Sequence, residues 1–137
     1  EFGICIVLCK YLLLCPEKEP VESELTAFRD LRDSGPLTVY FSTDVEQIIC
    51  DRFSGKIDEL EAACKNLGGE PASIEADYDL IRYFTALSKV PIVMLYNDAD
   101  DEFDAQAKLL FEVRAQEYLD AECLAILGNI FAQSLTA

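Results

Sequence analysis

The chain has 137 residues, 51% of them hydrophobic, with 26 acidic against 11 basic side chains and a formal net charge of −15. A field of that sign repels phosphate backbones and anionic membrane surfaces, so the expected partners include no nucleic acid and no membrane. Histidine is absent, which excludes Ser-His-Asp and Cys-His nucleophilic catalysis, His-ligated zinc and a His-based pH switch.

A chain of this length is expected to bury one core without disulfide staples. Residues 1–137 are read as a single α+β domain. It opens "EFGICIVLCKYLLLCP" without methionine, so native N-terminal sequence is expected to be missing. Six cysteines (Cys5, Cys9, Cys15, Cys50, Cys64 and Cys123) are expected to be mostly reduced and buried, which fits a cytoplasmic protein.

The apolar run from Phe2 to Cys15, broken by Lys10, is short of the roughly 20 residues that span a bilayer. It lacks the basic region and cleavage site of a signal peptide. A buried helix over Ile4 to Leu14, stopped by Pro16, is expected. "PEKEPVESE", Pro16 to Glu24, reads as a charged loop, "LTAF", Leu25 to Phe28, as a short strand, and "RDSGP", Arg32 to Pro36, as a turn.

Between Leu37 and Phe53, the residues Phe41, Val45, Ile48, Ile49 and Phe53 recur mostly at spacings of three and four, which predicts a helix with one buried face. Asp44 is expected to cap it and Gly55 to end it. A second helix is predicted from about Ile57 to Asn66, closed by "LGG" at Leu67 to Gly69. "YDLIRYFTAL", Tyr78 to Leu87, and "VPIVMLY", Val90 to Tyr96, read as an antiparallel hairpin, although Leu80, Ile81, Phe84 and Leu87 would also line a helix face. "AKLLFEV", Ala107 to Val113, is a further expected strand. Asp120 is expected to cap a final helix that buries Leu124, Leu127, Ile130, Phe131 and Leu135.

The stretch "YNDADDEFDAQAK", Tyr96 to Lys108, resembles a calcium loop only superficially. Counted from Asp98, Phe103 stands where an EF-hand needs glycine and Leu109 where it needs glutamate. A solvated strand-to-strand turn with Phe103 tucked into the core is the main expectation, and a looser divalent site from Asp98, Asp100 and Asp101 stays open beside it. The cysteine spacing C-x3-C-x5-C at Cys5, Cys9 and Cys15 lacks the tight C-x2-C turns of zinc and iron-sulfur motifs. "FSGK", Phe53 to Lys56, lacks the remaining parts of a P-loop and reads as a helix stop. Arg82 and Lys89 are scarce cations that either hold an anion or, more plainly, make surface ion pairs.

Taken together, "YLL", "AFRDL", "LGG", "DYDLIRYFTALSKVPIVML", "NDADDEF" and "LLFEVRAQEYLDAECLAILG" resemble an uncharacterised domain family of anaerobic bacteria and archaea. Some of its members are joined to, or encoded near, iron-sulfur and corrinoid one-carbon proteins. The resemblance is strongest from Leu67 to Gly128. It implies a reducing cytoplasm and a link to corrinoid or iron-sulfur metabolism, and it transfers no catalytic residue.

The expected fold is an antiparallel meander of three to four strands around Leu80 to Val113, packed with about four helices. Two functions are carried forward, with the cofactor unknown in both. One is a non-catalytic accessory or ligand-binding domain that self-associates or meets a protein partner through the C-terminal helix or an edge strand. The other is an enzyme or cofactor-handling protein with a pocket lined by Tyr83, Tyr96, Tyr118, Arg82, Asp100, Asp101 and Glu102. Acid-base work there would fall to carboxylates or tyrosine.

Overall fold

The computed structural model describes residues 24–137 apart from residues 73, 75, 88 and 89. The expected N-terminal helix, most of the charged loop after it, Cys5, Cys9, Cys15 and Lys89 lie outside the described residues. Five antiparallel strands, β1 (Leu25–Ala27), β2 (Glu70–Pro71), β3 (Leu80–Leu87), β4 (Val90–Asn97) and β5 (Gln106–Glu112), form one sheet in the order β1-β5-β4-β3-β2. The described residues also form three helices: α1 over residues 38–53, α2 (Ile57–Asn66) and α3 (Ala121–Thr136). The fold is α+β as expected, with the meander β3-β4-β5 widened by a short strand at each edge.

Strand β4 is central, and this accounts for its unbroken apolar sequence. Val90, Ile92, Met94 and Tyr96 are buried on the face shared with Phe84 and Leu109, and Pro91, Val93 and Leu95 are buried on the other. A proline is unusual in a central strand because it has no N–H for the ladder. Here the register between β3 and β4 shifts between Thr85 and Leu87, next to the Thr85–Pro91 pair, so the irregularity falls where that rung is missing. At the outer edge, β2 is two residues long and carries Pro71, a combination that discourages strand addition.

Helix α1 begins earlier than the sequence suggests. A 3₁₀ turn, Gly35–Leu37, carries Pro36 at its start and runs directly into Thr38. Buried Ser34 ties this turn down by donating to the Leu31 and Arg29 carbonyls, and Thr38 Oγ1 donates back to the Ser34 carbonyl. Asp44 therefore lies inside the helix, exposed, and makes no cap. The middle of α1, Phe41–Glu46, is a π-helix in which the Gln47 N–H reaches the Ser42 carbonyl. Phe41, Val45, Ile49 and Phe53 are all buried at intervals of four. In a pure α-helix each such step overshoots a full turn by about 40°, and the wider turn takes up part of that drift.

Aromatic contacts join the layers. Phe28 stacks on Phe41 with ring centroids 4.2 Å apart, and Phe111 meets the pair at 6.5 and 5.9 Å. Phe84 of β3 meets Phe131 of α3 edge to face at 4.7 Å. Helix α2 ends in a glycine motif as expected: Gly68 has φ +80°, its N–H donates to Lys65, and the Gly69 N–H donates to Cys64. Asp120 caps α3 by accepting from the Cys123 N–H at 2.9 Å.

Gly128 of α3 lies against the Phe41 ring, and a Cβ there would stand 2.6 Å from it. That ring is buried and stacked on Phe28, so it has little room to yield. Gly128→Ala is expected to cost about 1–3 kcal/mol by overpacking, measured by urea unfolding. At Gly35 nothing lies within 4 Å of the added carbon, so Gly35→Ala is the control that should change stability little.

Candidate functional site

The site arises where strand pairing stops. Strand β1 pairs only with Leu110, Phe111 and Glu112, so the first part of β5 has a strand on one side alone among the described residues. Helix α1 fills this edge with side chains. The Leu109 N–H donates to Glu46 Oε2 at 2.8 Å, and the Ala107 N–H donates toward the Cys50 sulfur. Residues two apart on a strand are about 6.7 Å apart, and residues four apart on a helix about 6 Å apart along its axis, so the two periods match closely enough for both contacts.

Two clefts flank this contact. One, of about 260 Å³, lies toward the start of β5 and is lined by Ser42, Glu46, Cys50, Tyr78, Gln106 and Lys108 among others. The second, of about 240 Å³, lies toward β1 and takes in Arg29, Phe28, Thr38 and Phe41. Both are lined by Ser42, Glu46 and Lys108, and together they form a groove on the scale of small-molecule sites, about 300–1,000 Å³. The π-helical turn of α1 supplies Ser42 and Glu46, a placement often seen at functional positions.

Electrostatically, Glu46 is the unusual group. Burial raises its pKa from 4.5, opposed by the Leu109 N–H and then by the charges of Lys108 and Arg29. Burial also pushes the Cys50 thiol up to about 11, so it is a neutral thiol at physiological pH. Cys64 is raised to about 11 for the same reason, and Cys50, Cys64 and Cys123 are buried and unbridged. Tyr96 is fully buried, with its pKa raised by burial and then by Asp98, toward which its hydroxyl donates at 3.5 Å.

The acidic stretch connects β4 to β5 as expected, but Phe103 does not anchor it. Phe103 is 66% exposed, because the turn is held by carboxylates that accept backbone N–H groups instead. Asp100 Oδ1 accepts from Glu102 at 2.8 Å and Phe103 at 2.7 Å, and these bonds lower its pKa. Asp98 Oδ1 accepts from Gly55 at 2.7 Å and Ala99 at 2.8 Å, and Asp79 accepts from the Asp98 N–H at 2.9 Å. Asp98 and Asp100 are thus engaged in fixing the loop. They also line an acidic cleft of about 410 Å³ with Asp77, Asp79 and Asp104. Among the described residues no group of three or more metal-ligating side chains is arranged to hold an ion.

The seven residues expected from sequence to line one pocket do not share a single described cleft. Arg82 pairs with Glu61 of α2 at 3.0 Å and donates to the Ile81 carbonyl. Tyr83 is on the opposite face of β3 from its neighbour Arg82 and is 36% exposed. Tyr96 is at the end of β4 near Asp98, whereas Tyr118 is buried beyond the far end of β5, after a 3₁₀ turn. Asp101 and Glu102 are exposed in the acidic turn. Asp100 alone of the seven lines a described cleft, the acidic one.

The folded-state pKa of Glu46 lies above its ordinary value, so folding disfavours its charged form. Its contribution to stability is fully present below the unfolded pKa near 4.5 and is lost as pH rises through the raised folded value. Glu46→Gln keeps an acceptor for Leu109 and removes the titration. The stability difference, variant minus parent, is expected to move in favour of the variant between about pH 4 and about pH 7, measured by urea unfolding. A difference that does not change with pH would contradict the burial of this carboxylate.

No curated protein and no solved structure matches the chain. A family model described as a domain of unknown function, DUF3786, matches residues 1–134. Spanning nearly the whole sequence, that match shows that the chain belongs to the DUF3786 family.

Proposed function

We propose that this is a non-catalytic ligand-binding domain whose site is the groove between α1 and the part of β5 that β1 does not pair. The observation that carries this reading is Glu46. A half-buried carboxylate held at a fixed angle by the Leu109 N–H, with Lys108 and Arg29 acting on it across a cleft, is an arrangement that surface solvation does not require. Two side chains that accept the free N–H groups of β5 also argue against strand addition by a peptide at this edge. Among the described residues the large exposed apolar side chains, Leu25, Val39, Leu67, Tyr83, Phe103 and Val113, are scattered over six segments. This favours a small ligand over a broad protein interface.

A cytoplasmic setting accords with three buried, unbridged cysteines, and among the described residues no helix is long and apolar enough to cross a membrane. A place beside corrinoid or iron-sulfur one-carbon metabolism in an anaerobe is what the family resemblance adds. A second reading, an acid-base enzyme or cofactor-handling protein, takes its support from Glu46 with its raised pKa beside Tyr78 in the same groove. In that reading Glu46 replaces the tyrosines and loop carboxylates as the acid-base group.

Native mass spectrometry of the protein purified from cells without air is expected to show a small molecule retained on the chain. Ser42 is exposed and lines both clefts, so Ser42→Trp should occupy the groove, abolish the adduct and leave the unfolding midpoint nearly unchanged. A bare parent chain, or an adduct indifferent to Ser42→Trp, would overturn the reading.

A further inference from the structure

We propose that the groove binds a small zwitterion of amino-acid size, with its carboxylate between Arg29 and Lys108 and its ammonium on Glu46. This rests on the ligand-binding reading above. The chain carries only 11 basic residues, and four of them, Arg32, Arg52, Arg82 and Arg114, are in ion pairs with glutamates. Arg29 and Lys108 make no such pair among the described residues, yet both line one cleft of about 240 Å³ and both act on Glu46. Two cations therefore line the same cleft as one carboxylate without an ion pair to it among the described residues.

This charge pattern selects among ligands. An anion without a positive group would be drawn to Arg29 and Lys108 but repelled by Glu46, and a simple cation would meet the reverse. A zwitterion satisfies both halves. Glu46 suits the ammonium because the Leu109 N–H fixes one oxygen, Oε2, and among the described residues no donor reaches the other. Ala27, Phe28 and Phe41 form the apolar part of the wall, which suits a carbon skeleton. The size of this cleft fits an amino acid.

The test uses the full chain and each of the standard L-amino acids at millimolar concentration in a thermal-shift screen. Isothermal titration of the tightest binder follows, beside its decarboxylated amine and its deaminated acid. The amino acid is expected to bind about tenfold or more tightly than either singly charged analogue, the scale of one lost charge-assisted hydrogen bond. Glu46→Gln and Lys108→Gln should each weaken it about tenfold, with unfolding midpoints close to the parent confirming that both variants fold. Equal binding of the deaminated acid, or of the amine, would overturn the zwitterion assignment. So would the absence of binding by every amino acid. If the purified protein still carries an adduct sensitive to Ser42→Trp, the groove remains a binding site for another chemistry. Without that adduct both inferences fall.

Discussion

Among the described residues strand β5 is paired on both sides for residues 110 and 111 and on one side for most of the rest, and the arrangement around it follows from that shortage. Backbone N–H groups left without a partner away from water cost about 1–3 kcal/mol each. The Leu109 and Ala107 groups meet Glu46 and Cys50 instead of a strand. Helix α1 must then lie close against the sheet edge with its residues 46 and 50 turned toward β5. The same constraint brings Phe41 into its stack with Phe28 and against Phe111. Gly128 completes the fit, since only a residue without a Cβ leaves room for the Phe41 ring under α3.

The groove is a by-product of this geometry. A helix that replaces a strand at a sheet edge does not fill the space as evenly as a strand would. The gaps on either side of Glu46 are the two clefts. Glu46 is held in place by its bond to the Leu109 N–H and shares a cleft with Arg29 and Lys108, so one residue serves the fold and lines the proposed site. That dual use accounts for a half-buried carboxylate among described acids that are largely at the surface.

Elsewhere the acidity has a local structural use. Asp79, Asp98 and Asp100 each accept backbone N–H groups around the β4–β5 connection, and Asp120 does so at the start of α3. Ionised carboxylates are strong acceptors for such groups. The crowd of aspartates after Tyr96 is therefore a set of turn fasteners as well as a negative surface. Arg82, a scarce cation in the hairpin, ties β3 to α2 through Glu61.

What the sequence determined by itself was local. The alternation of β3, the apolar run of β4, the glycine at the end of α2 and the aspartate before α3 each announce an element. Their signals depend on periods of two and 3.6 residues and on caps a few positions away. Asp44 looks like a cap for α1, whereas the turn held by Ser34 and Pro36 starts the helix at Thr38, with Leu37 as its cap about two turns before Asp44. An aromatic in a turn suggests a buried anchor, yet Phe103 is exposed and the anchors are Asp98 and Asp100. Tertiary structure alone decided the site. Nothing near Glu46 in the chain reveals that β1 stops short, for the strand it replaces lies twenty residues before it and the N–H it accepts lies 63 residues after it. The one local trace is that Glu46 and Cys50 each follow a buried residue, Val45 and Ile49, and so border the apolar stripe. A single helix cannot say what will stand opposite that border, because pairing across a sheet is set by the whole chain.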